Sequence, residues 1–228
     1  MGIRRWGAVL LHVLFIGNSL TYVNDLPGTV AALALSVGDT IQVRTVALPN
    51  LALIDHVNGA STAAAVISSA RWNFVVLQQG PTSLPLNRDT LVLATRQFDS
   101  YIKSAGATSA QFMTWPSSDR PQDFPQVLAS SQSAARAVGG VVFAAGQAWT
   151  SALAQNPSLP LYGSDGYHPA PLGTYLAALV IYEGITGHDA RRLPSRAVVG
   201  GRPVPADTST VRMLQRVAHE TVVKYRAP

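Results

Sequence analysis

The 228-residue chain contains no cysteine. Disulfides, zinc ribbons, iron–sulfur ligation and thiol nucleophiles are therefore excluded, and the redox compartment stays open. Charge is scarce as well. Asp, Glu, Lys and Arg make up 13% of the residues, about half of the roughly 25% usual in soluble domains. The 17 basic residues outnumber the 12 acidic ones, but they are scattered, with only Arg4-Arg5 and Arg191-Arg192 adjacent. No stripe forms that could follow a phosphate backbone, so no nucleic-acid partner is expected. No apolar run approaches the roughly twenty residues that span a bilayer, and no membrane partner is expected either. Arg4-Arg5 and the apolar run from Ala8 to Ile16 imitate a secretory signal. No small-residue cleavage site follows, and the run reads instead as a buried first strand. A cytoplasmic location is the default expectation, with secretion the alternative where an upstream signal has been removed. No His/Asp/Glu group has metal-ligand spacing along the chain, so no metal is expected.

What is present is apolar. Hydrophobic residues reach 47%, which excludes disorder and favours one well-buried domain over residues 1–228. Short apolar runs alternate with longer helix-compatible stretches, the pattern of a parallel α/β sheet. The expected strands are Ala8 to Ile16, Ile41 to Leu48, Phe74 to Gln78, Ala110 to Trp115 and Val141 to Ala145. Helices are expected from the Asp25 cap to Gly38, from Arg88 to Ala105, from Pro171 to Thr186 and from Asp207 to Tyr225, with Gly187 to Pro205 as a surface loop. Five strands joined by right-handed crossovers give a three-layer α/β/α, flavodoxin-like fold with strand order 2-1-3-4-5. Ligands in such sheets collect at the carboxyl ends of the strands, beside the switch between the first and third.

Polar residues cluster at those ends. Ser19 follows the first strand in Gly17-Asn18-Ser19-Leu20-Thr21. Taken alone it is equally a helix cap, and no G-x-S-x-G nucleophile elbow occurs in the chain. Far downstream lies Asp165-Gly166-Tyr167-His168-Pro169. An aspartate three residues before a histidine can hold the imidazole Nδ1, leaving Nε2 to accept a proton from a serine hydroxyl. Pro169 biases His168 toward an extended backbone. A simple turn carrying a surface histidine is the plain alternative.

Together the two segments resemble the SGNH (GDSL-type) hydrolase superfamily. The G-N-S-L block, with Asn18 where many members have Asp, is similar to its first motif, and D-x-x-H to its last. The likeness runs from about Val13 to Gly187 and includes Gly173 to Ala178, similar to the family's closing helix. It implies Ser19 as nucleophile, His168 as general base and then acid, and Asp165 as the orienting acid. It also implies an oxyanion hole made by the Ser19 N–H, a backbone N–H after strand two, and a side-chain amide after strand three. Pro49 has no N–H, so the second donor falls to the Asn50 backbone. In place of the family's G-x-N-D stands Val76-Leu77-Gln78-Gln79-Gly80, which is similar to a subgroup that includes sialate and carbohydrate acetylesterase relatives and uses glutamine. Gln78 directly follows the apolar run and is the expected donor, with Gln79 the runner-up. The implied activity is a cofactor-independent serine esterase for short, acetyl-type esters, with carbohydrate as a candidate alcohol and a small-molecule ester as its partner.

Gln79, Tyr22, Trp115 and Trp149 are further candidates for lining the substrate cleft, as is Asn24, with core packing an equal reading for both tryptophans. His56 reads as surface packing, and His188 and His219 carry no constellation. Two rivals stay open: a flavodoxin-like binding module for FMN, and a degenerate SGNH domain that binds carbohydrate without cleaving it.

Overall fold

The structure is a computed structural model and describes residues 9–225. Arg4-Arg5 and the expected strand start at Ala8 lie outside the described residues. In chain order the elements are β1 (Leu10–Gly17), α1 (Ser19–Tyr22), α2 (Leu26–Leu35), β2 (Thr40–Ala47), α3 (Leu53–Asp55), α4 (Ala63–Ser68) and β3 (Phe74–Leu77). There follow α5 (Pro85–Ser104), β4 (Thr108–Phe112), α6 (Phe124–Arg136), β5 (Val141–Phe143), α7 (Ala145–Gln155) and α8 (Pro171–Thr186). The short β6 (Val198–Val199) and β7 (Arg202–Pro203) precede α9 (Thr208–Tyr225).

The main sheet is parallel and runs β2-β1-β3-β4-β5, the order expected from the sequence. Its two faces are read directly from the period-two alternation of β1 and β3. Val13, Phe15 and Val76 point into one core, with α2, α7, α8 and α9. Leu14, Ile16, Val75 and Leu77 point into the other, with α4 and α5. Burial of each such large side chain contributes roughly 1.5–3 kcal/mol. Helix α8 is buried around almost its whole circumference, which accounts for its apolar composition on every side.

Some boundaries differ from expectation. Helix α5 starts a turn earlier than expected because Pro85 occupies its first position, where a missing N–H costs nothing. Helices α4, α6 and α7 were not expected; their sequences are rich in Ala, Ser and Gln. The Gly187 to Pro205 segment is not only loop, since it holds the antiparallel β6–β7 hairpin. Among the described residues no helix is long and apolar enough to cross a membrane.

Candidate active site

Ser19 stands on the first residue of α1, at the carboxyl end of β1. The turn that presents it is fixed from three directions. Asn18 caps α1 by accepting from Leu20 N–H at 3.1 Å, and its amide nitrogen donates to the Leu51 carbonyl at 3.0 Å. The second bond needs an amide rather than a carboxylate, which gives a reason for Asn where Asp is common. From β3, the Gln78 Oε1 accepts from the Asn18 N–H and the Thr21 hydroxyl, each at 2.8 Å. A Cβ on Gly17 would overlap this same oxygen, so glycine is required there for close approach. From beneath, His56 Nε2 lies 2.9 Å from the Gly17 carbonyl and Nδ1 lies 2.7 Å from Ser61 Oγ. A carbonyl only accepts, so Nε2 carries the proton and Nδ1 accepts from the Ser61 hydroxyl. His56 is buried, not a surface residue as its sequence position suggests, and burial lowers its pKa against the opposing pull of the Gly17 carbonyl and Asp55.

The second arm is the loop before α8. Asp165 Oδ1 accepts from the N–H groups of Tyr167 and His168 at 3.0 and 2.9 Å, folding the loop into a side-chain-mediated turn. Its Oδ2 lies 2.5 Å from His168 Nδ1, and His168 Nε2 lies 2.9 Å from Ser19 Oγ. Residues 149 positions apart are thus joined in one hydrogen-bonded chain. The His168 hydrogen bond is the largest influence on Asp165, ahead of the two backbone N–H groups, and together they hold its carboxyl down at about 2. The arrangement can draw the Ser19 proton onto Nε2 while an ionised carboxylate faces the ring's other nitrogen.

Ser19 and His168 open onto a cavity of about 640 Å³. Asn50, Leu51, Gln79 and Thr82 also border it. The backbone N–H groups of Ser19 and Asn50 have no partner among the described residues. Asn50 sits at φ 61°, a left-handed conformation that asparagine tolerates better than most residues.

The glutamine assignment is corrected. Gln78 is 1% exposed and does not border the cavity. Its N–H still pairs with Ile16 O at 2.8 Å, so it continues the β1–β3 ladder and its side chain is held under the Ser19 turn. Its Nε2 is buried without a partner. Gln79 is the first residue free of the ladder and does border the cavity. Its Oε1 accepts from Leu53 N–H at 3.1 Å, which fixes the amide so that Nε2 faces the Thr82 hydroxyl at 3.2 Å. Nε2 has two N–H bonds and Thr82 takes one, so the other is left to donate.

Four weaker candidates also lie off the cavity. Trp115 and Trp149 are each 0% exposed and do not wall the cavity. Their rings stack at 3.7 Å with 6° between planes, and Tyr162 meets Trp149 edge-on at 4.8 Å. Trp115 Nε1 donates to the Tyr167 carbonyl at 3.1 Å and the Tyr162 hydroxyl to the Pro116 carbonyl at 2.9 Å. This aromatic column supports the Asp165–His168 loop from inside. Tyr22 is 41% exposed and lies off the cavity. Asn24, at φ 57°, also lies off it, where its amide donates to the Pro169 carbonyl at 2.8 Å and to Thr174 Oγ1 at 3.0 Å.

Sequence spacing also missed a carboxylate–histidine cluster. Glu183, Asp189 and His219 bring donor atoms within 4.8 Å of one another. These atoms already satisfy each other. His219 Nδ1 lies 2.8 Å from Glu183 and 3.4 Å from Asp189, Ala190 N–H donates to Glu183, and Arg191 chelates Asp189. The cluster ties α8 to α9.

No protein-family model and no curated protein matches the chain. Solved structures do. A candidate SGNH hydrolase from Slackia heliotrinireducens is 25% identical, with a TM-score of 0.65 over 76% of this chain and 98% of its own. A DUF4886 family protein from Bacteroides uniformis superposes with a TM-score of 0.81 over 96% of both chains at 19% identity. A lipase/acylhydrolase from Enterococcus faecalis reaches 0.58 at 17% identity, covering 81% of this chain and 97% of that one. The chain is therefore similar in structure to SGNH/GDSL hydrolases and to a DUF4886 protein, with an SGNH-hydrolase-like α/β fold.

Proposed function

We propose that the protein is a serine ester hydrolase acting on short acyl esters. The observation that carries this reading is the unbroken hydrogen-bonded chain Asp165–His168–Ser19 opening onto a cavity beside unpaired N–H groups. Ser19 Oγ attacks the ester carbonyl as His168 Nε2 takes its proton, and Asp165 stabilises the imidazolium. The oxyanion is met by the N–H groups of Ser19 and Asn50 and by Gln79 Nε2. His168 then gives its proton to the departing alcohol. Water attacks the acyl-enzyme with His168 again as base, which regenerates Ser19. Each proton has a donor and an acceptor among these side chains, so the sequence of steps calls for no cofactor.

A short acyl group fits the cavity's composition. Its apolar wall is limited to small patches such as Leu51, Ala52 and Pro81, too little to bury a long alkyl chain at the usual gain of about 0.8 kcal/mol per methylene. Ser19→Ala is expected to abolish hydrolysis of p-nitrophenyl acetate, and a fluorophosphonate should label the peptide containing Ser19. Wild-type turnover in Ser19→Ala would end the reading. Faster hydrolysis of long-chain than of acetyl esters would remove the acyl preference and leave the esterase intact.

A further inference from the structure

The cavity beside Ser19 is lined mostly by polar and small apolar side chains, and apart from His168 itself its one aromatic residue is Tyr167. We propose that the Tyr167 ring is the surface on which the leaving alcohol packs, so that the site favours esters whose alcohol half, and not whose acyl half, carries a flat apolar ring. The inference rests on the esterase reading above and goes on to name a specificity-determining residue and the half of the ester that it touches.

Three observations lead there. The first is where the ring stands relative to the reaction. His168 gives its proton to the departing alcohol, so the leaving oxygen must come within about 2.6–3.2 Å of Nε2. The alcohol half of the ester therefore begins at the imidazole. The Tyr167 ring stands directly beside that imidazole, with centroids 5.2 Å apart and planes at 81°. From there the phenol crosses to the loop after β3, where its hydroxyl lies 3.3 Å from the place a Cβ on Gly80 would take. His168, Tyr167 and Gly80 all border the cavity, so the ring forms a bar that runs from the proton donor to that loop.

Second, the ring is already held in place. Asp165 Oδ1 accepts from the Tyr167 N–H at 3.0 Å, Trp115 Nε1 donates to its carbonyl at 3.1 Å, and its side chain packs against the core beneath. A surface fixed in this way loses little conformational freedom when a ligand settles on it. Third, the ring is neutral as well as apolar. Burial, and after it the Asp165 charge, holds the phenol above its usual pKa of 10, so no phenolate meets the alkoxide as it forms. The other apolar side chains of the lining, Leu51, Ala52 and Pro81, offer no aromatic face. A flat ring on the alcohol thus finds its best partner in Tyr167, stacked or edge to face.

The test uses methyl acetate and two isomers built on it by adding one phenyl ring: benzyl acetate carries the ring on the alcohol, methyl phenylacetate on the acyl group. Methanol and benzyl alcohol are leaving groups of similar basicity, so the comparison reads contacts and not leaving-group chemistry. The three esters are assayed on wild-type protein, Tyr167→Phe and Tyr167→Ala. The ratio of kcat/KM for benzyl acetate over methyl acetate should fall about five- to tenfold in Tyr167→Ala, the scale of one lost aromatic contact and its buried area. It should hold within about twofold in Tyr167→Phe, as should the ratio for methyl phenylacetate over methyl acetate in both variants. Damage to the histidine loop would slow all three esters alike and cancels in the ratios. An unchanged benzyl acetate ratio in Tyr167→Ala, a fall for methyl phenylacetate in its place, or a Tyr167→Phe protein that behaves like Tyr167→Ala overturns the proposal. A wild type that turns over none of the three ends the esterase reading. Ligand-observed NMR of benzyl acetate on Ser19→Ala then decides the rest: affinity that falls when Tyr167→Ala is added keeps the ring-binding surface, and unchanged affinity removes it.

Discussion

At the scale of single residues, the two glutamines after β3 separate a structural from a chemical role. Gln78 holds the Ser19 turn through the Asn18 N–H and Thr21, whereas Gln79 faces the cavity with one N–H to spare. Under the proposed mechanism Gln79→Ala is expected to lower kcat by a factor on the order of 10²–10³, as loss of one oxyanion donor does, with a smaller fall in Tm than Gln78→Ala because only the Leu53 N–H loses its acceptor. Gln78→Ala should lower Tm and activity together, because two buried donors lose their acceptor at about 1–3 kcal/mol each. Measuring both quantities on both variants decides it: a fully active Gln79→Ala would take the donor role away from this residue. The sequence shows a glutamine pair at the end of an apolar run but not where the strand ladder stops. The ladder runs one residue past the apolar residues, through Gln78 N–H to Ile16 O, and that bond decides which amide is free. The tryptophans were ambiguous for a related reason. Their position after strands four and five is visible, but whether an indole turns outward depends on the stack it finds.

At the scale of elements, the sheet order and its two-faced core were legible because burial on both faces of a parallel sheet leaves near-continuous apolar runs. The Ser19 and Asp165–His168 segments were legible because each carries a compact local motif. The bracing between them was not, because it consists of single bonds between residues far apart in sequence. Asn24 is the clearest brace. It lies just past Ser19, yet its amide holds the carbonyl of Pro169, the residue after His168, and the Thr174 hydroxyl on α8. Asn24→Gly keeps the left-handed backbone and deletes both bonds, each worth about 0.5–1.5 kcal/mol. It should lower kcat by about tenfold as the two arms lose register. Asn24→Asp, which retains the shape but not the N–H donors, should do the same. If kcat in Asn24→Gly stays within about twofold of wild type, the two arms are held together by other contacts.

At the scale of the whole molecule, pH acts on the site from two directions. The Asp165 carboxyl is lowered from 3.8 to about 2. Its contribution is complete above 3.8 and fades only as the pH falls toward about 2. Loss of activity in mildly acidic solution therefore does not report protonation of this carboxylate. His56 acts higher. Its pKa lies below the ordinary 6.5, so below 6.5 the unfolded chain takes a proton that the folded chain refuses. Stability from this residue is complete above 6.5 and declines as the pH falls beneath it. His56→Gln can still reach the Gly17 carbonyl but does not titrate. The Tm advantage of the wild type over His56→Gln should therefore shrink between about pH 7.5 and about pH 5.5. A constant advantage would mean that His56 does not couple the Ser19 turn to pH. The aromatic column has an optical consequence. Two indoles face to face at 3.7 Å, among four tryptophans in the chain, are close enough for their transitions to couple, and any in-plane twist between them gives a circular-dichroism couplet. Because Trp115 is bonded to the Tyr167 carbonyl, that couplet is a built-in spectroscopic gauge of whether the histidine loop is seated.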